Sequence, residues 1–369
     1  MPIVRLSRID REVLLFSQLH ADASATAIAK KAKCREHTVR RSLAKLEESG
    51  AIQRYPYINM CPLGFAEYGI FFSLTSGKKQ RTKLLATLEE MDRVAWILEL
   101  GGDFQFGVAL CARGAGEIID IFDSLSAQFG EIFFEKSIAV RTGWHLFPRR
   151  YLSPTKIQDG PLSCGRTSES RLSAKKGAIA PGPTVKLDEL DHLILSTLSS
   201  ARYHSYRELA RMLSVPHTTL LHRMKLLAEL GVLRGFAYGI DASVFGMQTY
   251  RLLIYMKQVS LAAKHELHEF CTAHRNVFAF IECLGSWDFE VKVEVETSAQ
   301  LTEVMELLYE RFGSALQTIK VLTVLRTRKL EFYPFRTLPT ETLPTDADGI
   351  PLQPRSKKGP NPLRIRHFD

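Results

Sequence analysis

Sliding the 369-residue sequence along itself by 181 positions sets Leu6-Ser-Arg-Ile-Asp10 over Leu187-Asp-Glu-Leu-Asp191. The same offset pairs Ile28-Ala29 with Leu209-Ala210, and Thr38, Leu46, Gly50 and Ile52 with Thr219, Leu227, Gly231 and Leu233. The offset is 182 at Gly64 and Gly246, and 183 at Phe129-Gly130 and Phe312-Gly313. Slow drift of this kind is what loop insertions produce in two divergent copies of one unit, and a repeat constrains the fold before any local pattern does. Each copy therefore has to be read as the same succession of elements.

Each copy opens with three short helices. In the second, Asp188 can cap a helix whose stripe is Leu190, Leu193, Ile194, Leu195 and Leu198. Ser205-x-x-Glu208 has the form of a capping box, and Pro216 suits the first turn of a third helix that ends at Gly231. In the first copy Ser7 and Asp10 open the first helix, Ser24 precedes Ala25–Ala32, and a break at Lys33–Arg35 leads into Glu36–Ser49. After each terminating glycine a β-prone stretch, Ile52–Ile58 or Leu233–Ile240, is placed to form a wing. Two helices joined by about four residues behind a supporting helix form a helix-turn-helix, whose last helix offers its N-terminal turns to the major groove. The side chains expected there are Arg35, His37, Thr38, Arg40 and Arg41 in one copy, and His217, Thr218, Thr219, His222 and Arg223 in the other. They can donate to base acceptors and phosphates. The plainer alternative is a packing module with a solvated basic face. Arg8, Lys30, Lys31, Lys33 and, at the DNA surface, Lys45 are placed to touch phosphate or nothing.

Charge follows the same division. Of a net +9, residues 1–56 carry +5, 186–236 carry +2, 153–185 carry +3 and 337–369 carry +1, while the segments 57–152 and 237–336 each carry −1. A basic excess confined to particular modules suggests a local polyanion contact.

The remainder of each copy reads β-α-β-β-α-β. Phe289, Val291, Val293 and Val295 alternate with Glu290, Lys292, Glu294 and Glu296, which predicts a strand with one buried face. Around it the pattern predicts strands at Tyr250–Lys257, Val277–Leu284 and Ile319–Leu325, with helices at Ala262–Ala273 and Ala299–Phe312. The first copy gives Glu67–Leu74, Lys79–Met91, Val94–Leu100, Phe104–Leu110, Glu117–Phe129 and Phe133–Val140. The class is α+β: two tandem units, each a three-helix winged helix-turn-helix followed by a ferredoxin-like sandwich whose open sheet face calls for a partner. The boundaries drawn are 1–58 and 59–152 for the first head and sensor, 153–186 for a flexible linker, 187–240 and 241–336 for the second pair, and 337–369 for a disordered proline-rich basic tail. As a coil the linker would span roughly 30–35 Å.

Two sets of residues invite a sharper chemical reading. The hairpins Gly101-Gly-Asp-Phe104 and Gly285-Ser-Trp-Asp288 are either turns with an inward aromatic, or the rim of an effector pocket in which Gly102, Gly285, Trp287 and Asp288 meet a carboxylate. His265-Glu-Leu-His268-Glu269 has its histidines three apart rather than in the H-E-x-x-H spacing of a zinc protease, and reads as a solvated helix face. The six cysteines form no CxxC pair. No metal, cofactor, nucleophile elbow or phosphate loop is expected, and none of the chain reads as catalytic. With no apolar run of about 18–20 residues and no apolar N-terminal segment, the expected location is the cytoplasm.

The Leu187-Asp-Glu-Leu-Asp191 start, the Glu208-Leu-Ala210 helix, the run Thr218-Thr-Leu220…Arg223…Leu227…Glu229-Leu-Gly231-Val-Leu233 and the Gly285-x-Trp-Asp288 hairpin resemble the leucine-responsive/asparagine-synthetase regulator (Lrp/AsnC) family. The first copy departs from it at Ser42, where the second has Arg223, and at Gln105, where the second has Asp288. The resemblance implies a sequence-specific transcriptional regulator that binds double-stranded DNA, responds to an amino acid or similar small effector, and pairs sensors through their sheets. The tandem copy implies pairing within one chain, a possible further homo-oligomer, and asymmetric half-sites. Siroheme decarboxylases are built on the same fold and occur as fused pairs. They would lead one to expect a His-x-x-x-Arg cluster, which the strands at Arg93–Leu98 and Asn276–Ile281 lack.

Overall fold

A computed structural model of the chain describes residues 5–155, 160–165, 185–200, 203 and 205–339. The first unit runs α1 (Arg8–Ser17), α2 (Ala25–Lys31), α3 (Glu36–Glu48), β1 (Ile52–Ile58), β2 (Ala66–Leu74), α4 (Lys78–Glu90), β3 (Val94–Gly101), β4 (Phe106–Ala112), α5 (Ala115–Phe129) and β5 (Phe133–Leu146). After a strand β6 (Leu162–Gly165) the second repeats the order as α6 (Glu189–Ser200), α7 (Tyr206–Met212), α8 (His217–Glu229), β7 (Leu233–Ile240), β8 (Gln248–Met256), α9 (Leu261–Ala273), β9 (Val277–Gly285), β10 (Phe289–Val295), α10 (Ser298–Phe312) and β11 (Leu316–Leu330).

Local chemistry explains the repeat. Ser7 and Asp10 form a reciprocal capping box on α1, while Ser24 and Ser205 accept from Ala27 N and Glu208 N at 3.2 Å. Asp188 Oδ1 accepts from Asp191 N at 2.8 Å. The turns before α3 and α8 place Lys33 (φ 50°) and Ser214 (φ 55°) in the left-handed region at equivalent positions. Gly50 (φ 73°) and Gly231 (φ 71°) end the two helices in the same way, a conformation that glycine adopts without a Cβ penalty.

The two sensors share one sheet. Its order is β2-β4-β3-β11-β8-β10-β9-β5-β6, and a further β2–β5 pairing closes the first eight strands on themselves. Each unit contributes four antiparallel strands, with α4 and α5 or α9 and α10 outside. The joints are β3–β11 and β5–β9. Strands β5 and β11 run 14 and 15 residues, longer than expected from the sequence, because each pairs both within its own unit and with the other unit. Thus β11 pairs with β8 over Leu316–Thr323 and with β3 over Thr323–Leu330. The open sheet face of each copy is covered by the other copy.

Four expectations are corrected. First, β1 and β7 are not free wings but pair with each other, from Ile52 opposite Ile240 to Ile58 opposite Leu233. This ribbon ties the heads together: Ala21 N donates to Phe236 O at 2.9 Å and Tyr238 N to Gln18 O at 2.8 Å. Arg54 on β1 lies over the Phe236 ring (4.6 Å) and donates to Tyr206 Oη (2.8 Å) of the second head. Second, β10 is buried on both faces, Glu290, Lys292 and Glu294 included, because its polar side meets the first unit rather than water. Third, part of the linker is structural: β6 adds to the edge of β5, Trp144 opposite Cys164. Fourth, His268 does not sit on a solvated face. Its ring packs against His145, Phe147 and Phe280, with centroids 4.7, 5.6 and 5.8 Å away. The tail beyond Pro339 lies outside the described residues.

Candidate nucleic-acid interface

Each third helix buries one stripe and presents another. In α3, Val39, Ser42 and Leu46 are buried, which leaves Arg35, His37, Arg40 and Arg41 exposed and Thr38 partly so. In α8, Leu220, Met224 and Leu227 are buried. Thr218 and His222 are exposed, with His217 and Thr219 half-buried. Nine of the eleven residues expected at the DNA surface therefore line the accessible side of a helix, as groove entry requires.

Lys45, 53% exposed, and Arg223, 32% exposed, differ from these nine in pairing with aspartates at the first helix of their heads. Lys45 Nζ pairs with Asp10 Oδ2 at 3.0 Å, and the buried Ser42 hydroxyl donates to Asp10 Oδ1 at 2.6 Å. Burial would raise the Asp10 pKa, but the bonds from Ser42, Ser7 and Lys45 outweigh it and hold it at about 2. In the second head Arg223, at the position of Ser42, reaches Asp188 (2.7 Å) and Asp191 (3.3 Å). Both cations fasten the third helix to the first. Sequence reasoning placed them on the reading surface because helical spacing does not reveal a partner on another helix.

The readers are unlike. Arg40 pairs with Glu36, whose carboxylate also accepts from Thr26 Oγ1 at 2.7 Å. No ion pair involves Arg41 among the described residues. The matching positions in α8 are Leu221, 41% exposed, and His222. The first head thus offers guanidinium forks suited to guanine or phosphate, and the second offers an imidazole, hydroxyls and an aliphatic side chain suited to a thymine methyl.

The residues expected at an effector pocket sit in the sensor joints. Trp287 is 1% exposed and packs on Phe71 at 5.1 Å, and its counterpart Phe104 packs on the same ring at 6.0 Å. Asp288 Oδ2 accepts from Met256 N at 2.7 Å, and Asp288 N donates to Ile254 O at 3.0 Å. Gly102 (φ +117°) and Gly285 (φ +141°) let the hairpins approach the opposite unit: a Cβ would lie 2.6 Å from Val321 O in one and 2.5 Å from Ile138 O in the other. These positions join the two units, in keeping with the reading of turns with an inward aromatic and not with that of a pocket rim. Gly285→Ala is expected to cost about 1–3 kcal/mol through strain and clash, read as a lower urea midpoint.

Among the described residues no group of three or more His, Cys, Asp or Glu converges as a metal site, and no helix is long and apolar enough to cross a membrane.

Comparison with known proteins agrees with this layout. A family described as winged helix-turn-helix DNA-binding matches residues 187–234. An uncharacterized HTH-type transcriptional regulator of Pyrococcus furiosus is 30% identical over 127 residues, 34% of this chain and 82% of that protein. HTH-type transcriptional regulator FL11 of Pyrococcus horikoshii is 25% identical over 146 residues, 39% of this chain and 93% of that protein. Both relatives are thus the size of one unit. The siroheme decarboxylase NirDL shares the architecture over 90% of this chain and 95% of its own, with a TM-score of 0.55 and 13% identity, a likeness of fold alone. Sequence, fold and relatives together place this chain, with its two units fused, in the Lrp/AsnC family of HTH-type transcriptional regulators.

Proposed function

We propose that the chain is a sequence-specific DNA-binding regulator that presents two unlike reading heads on one intramolecular sensor pair, and that an amino acid or similar small molecule adjusts its binding. The observation that carries this reading is the cationic face of α3, where Arg35, His37, Arg40 and Arg41 are exposed on the side opposite the buried Val39 and Leu46. The neutral sensors and basic heads supply the matching long-range field. Such a protein acts by binding rather than catalysis, needs no cofactor, and works in the cytoplasm where its duplex is.

The test is a titration of fluorescent duplexes recovered from a random pool, with and without each of the twenty amino acids. Affinity is expected to fall linearly on a log–log plot as salt rises, because each phosphate contact releases a counterion. Recovery of two spaced, different motifs is expected. Affinity indifferent to salt, or a pool without enriched motifs, would overturn the reading. The full-length likeness of architecture to NirDL favours a second reading, a tetrapyrrole-binding enzyme. Uptake of siroheme with a Soret band would support it.

A further inference from the structure

The ribbon of β1 with β7 is a sheet of its own, separate from the nine-stranded one. Two strands alone are marginal in water, so the side chains they carry fix their direction against each head. Arg54 and Tyr238 stand opposite each other in the ribbon, and each reaches the head of the other unit. Tyr238 packs with Leu14 and Leu46 in the core of the first head. Arg54 lies among three rings: Phe236 of β7 at 4.6 Å, and Tyr206 and Tyr203 of the second head at 5.3 and 5.5 Å. Its Nη2 donates to Tyr206 Oη at 2.8 Å, and its Nε is buried without a hydrogen-bond partner. Among the described residues it pairs with no carboxylate. Ring faces and one phenol hold the charge instead, and they keep the planar fork in a single orientation.

This clasp is made once. At the offset of 181, Arg54, Tyr206 and Tyr203 correspond to Gly235, Ala25 and Asp22. Gly235 has φ +139°, where a side chain is strained, and a Cβ there would meet Leu162 of β6 at 3.6 Å. The linker strand therefore fills the place of a second clasp, and Arg234 beside it donates from Nε to Ser163 O at 3.2 Å. The first head is joined to β7 by main chain, through Ala21 N and Tyr238 N.

Tyr206 is the first residue of α7, and Val215 N donates to Ala210 O at 3.0 Å across the turn from α7 into α8. Arg54 thus bears on the helix that supports the reader of the second head. We infer that Arg54 is a positioning residue that fixes the separation and tilt of α8 relative to α3, so that the protein selects the spacing between two half-sites as well as their sequence. The inference rests on the DNA-binding reading proposed above. A duplex turns once in about 10–10.5 bp, so moving one half-site by about 5 bp carries it to the opposite face. Two heads held rigidly then lose the gain that comes from binding both half-sites at once. Heads on a loosened ribbon can follow the displaced site.

The test uses duplexes that carry both recovered motifs, with their separation changed in single steps over about one helical turn. Duplexes with one motif serve as the reference. Wild-type full chain is expected to prefer its best spacing over one half a turn away by about tenfold or more. Arg54→Met keeps an extended side chain without the fork, and should shrink that ratio to about threefold or less while affinity for one-motif duplexes stays unchanged. Arg54→Lys keeps charge near the rings and should retain more of the preference. Tyr206→Phe removes only the hydrogen bond and should flatten the profile in part, which keeps the comparison available if Arg54→Met does not fold. A purely structural role would lower the thermal midpoint and one-motif affinity but leave the spacing profile sharp, and that result would overturn the inference. So would a wild-type profile indifferent to spacing, with DNA binding intact. Failure of the wild type to bind any duplex would instead overturn the DNA-binding reading, and this inference with it.

Discussion

Glu290→Ala is expected to lower the free energy of unfolding by about 3–5 kcal/mol, the range for removing one partner of a buried ion pair. Glu290 is fully buried on β10, and its two oxygens accept from Arg251 Nη1 and Arg141 Nη2, each at 2.6 Å. Both guanidinium groups lie over the Trp96 ring, Arg251 at 4.3 Å and Arg141 at 4.6 Å. Arg141 also pairs with Glu67, which accepts from Trp96 Nε1 at 3.1 Å. Lys292 is buried nearby over the Trp144 ring at 5.0 Å. Without Glu290, the guanidinium groups of Arg141 and Arg251 keep their charge in the interior with only Glu67 to answer them, while Lys292, whose pKa burial already pushes well down, loses a carboxylate that helps it hold its proton. Replacing Arg251 and Glu290 together by apolar residues is expected to cost less than Glu290→Ala alone, since no unpaired charge is left by the loss of that pair. Equilibrium urea unfolding gives the comparison, and equal losses in both variants would show that the pair itself is not what matters.

The acid limb carries the same signature. Burial would raise the Glu290 pKa, but Arg141, Arg251 and Lys292 outweigh it and hold it at about 2, below the ordinary glutamate value of 4.5. A carboxyl lowered on folding contributes fully above its unfolded value and loses the contribution as pH falls through its folded value. The wild type should therefore lose stability between about pH 4.5 and pH 2 more steeply than Glu290→Ala does.

This network also explains what the sequence left hidden. In the first copy the positions of Arg251, Glu290, Lys292 and Glu294 are Gly69, Gly107, Ala109 and Cys111. A Cβ on Gly69 would lie 3.1 Å from Arg141 Nε, and one on Gly107 would lie 2.7 Å from the Phe71 ring and 3.2 Å from the Trp96 ring. The second copy carries charges where the first carries glycine, alanine or cysteine, so the two units are complementary across the sensor pair. Strand alternation made β10 visible from Phe289 to Val295, but alternation cannot say whether its polar side meets water or another sheet. The small residues opposite were the available sign.

The same limit applied elsewhere. Helix ends were legible because Ser7, Ser24, Ser205, Gly50 and Gly231 act within a few residues of themselves. The ribbon of β1 with β7, the second halves of β5 and β11 and the place of β6 depend on partners more than one hundred residues away or on the linker's own path. At the candidate interface the exposed arginines of α3 were legible from helical spacing. The anchors were not: Lys45 and Arg223 differ from Arg41 only in having an aspartate of the first helix within reach.

That difference sets the second large effect. Simultaneous Arg40→Ala and Arg41→Ala is expected to weaken duplex binding roughly thirtyfold or more, at about 1–3 kcal/mol for each specific contact. The loss should fall on the half-site of the first head, with a salt dependence shallower by about one unit for each phosphate contact removed. His222→Ala should weaken only the other half-site. Arg223→Ala should leave footprints nearly unchanged and instead lower thermal stability, because its side chain pairs with Asp188 and Asp191 and is 32% exposed. The control matters because Arg223 stands on the third helix of its head just as Arg41 does on its own. If Arg223→Ala erased its half-site as Arg41→Ala erases the other, the pairs with α6 would have to open in the complex, and the two heads would be equivalent readers after all.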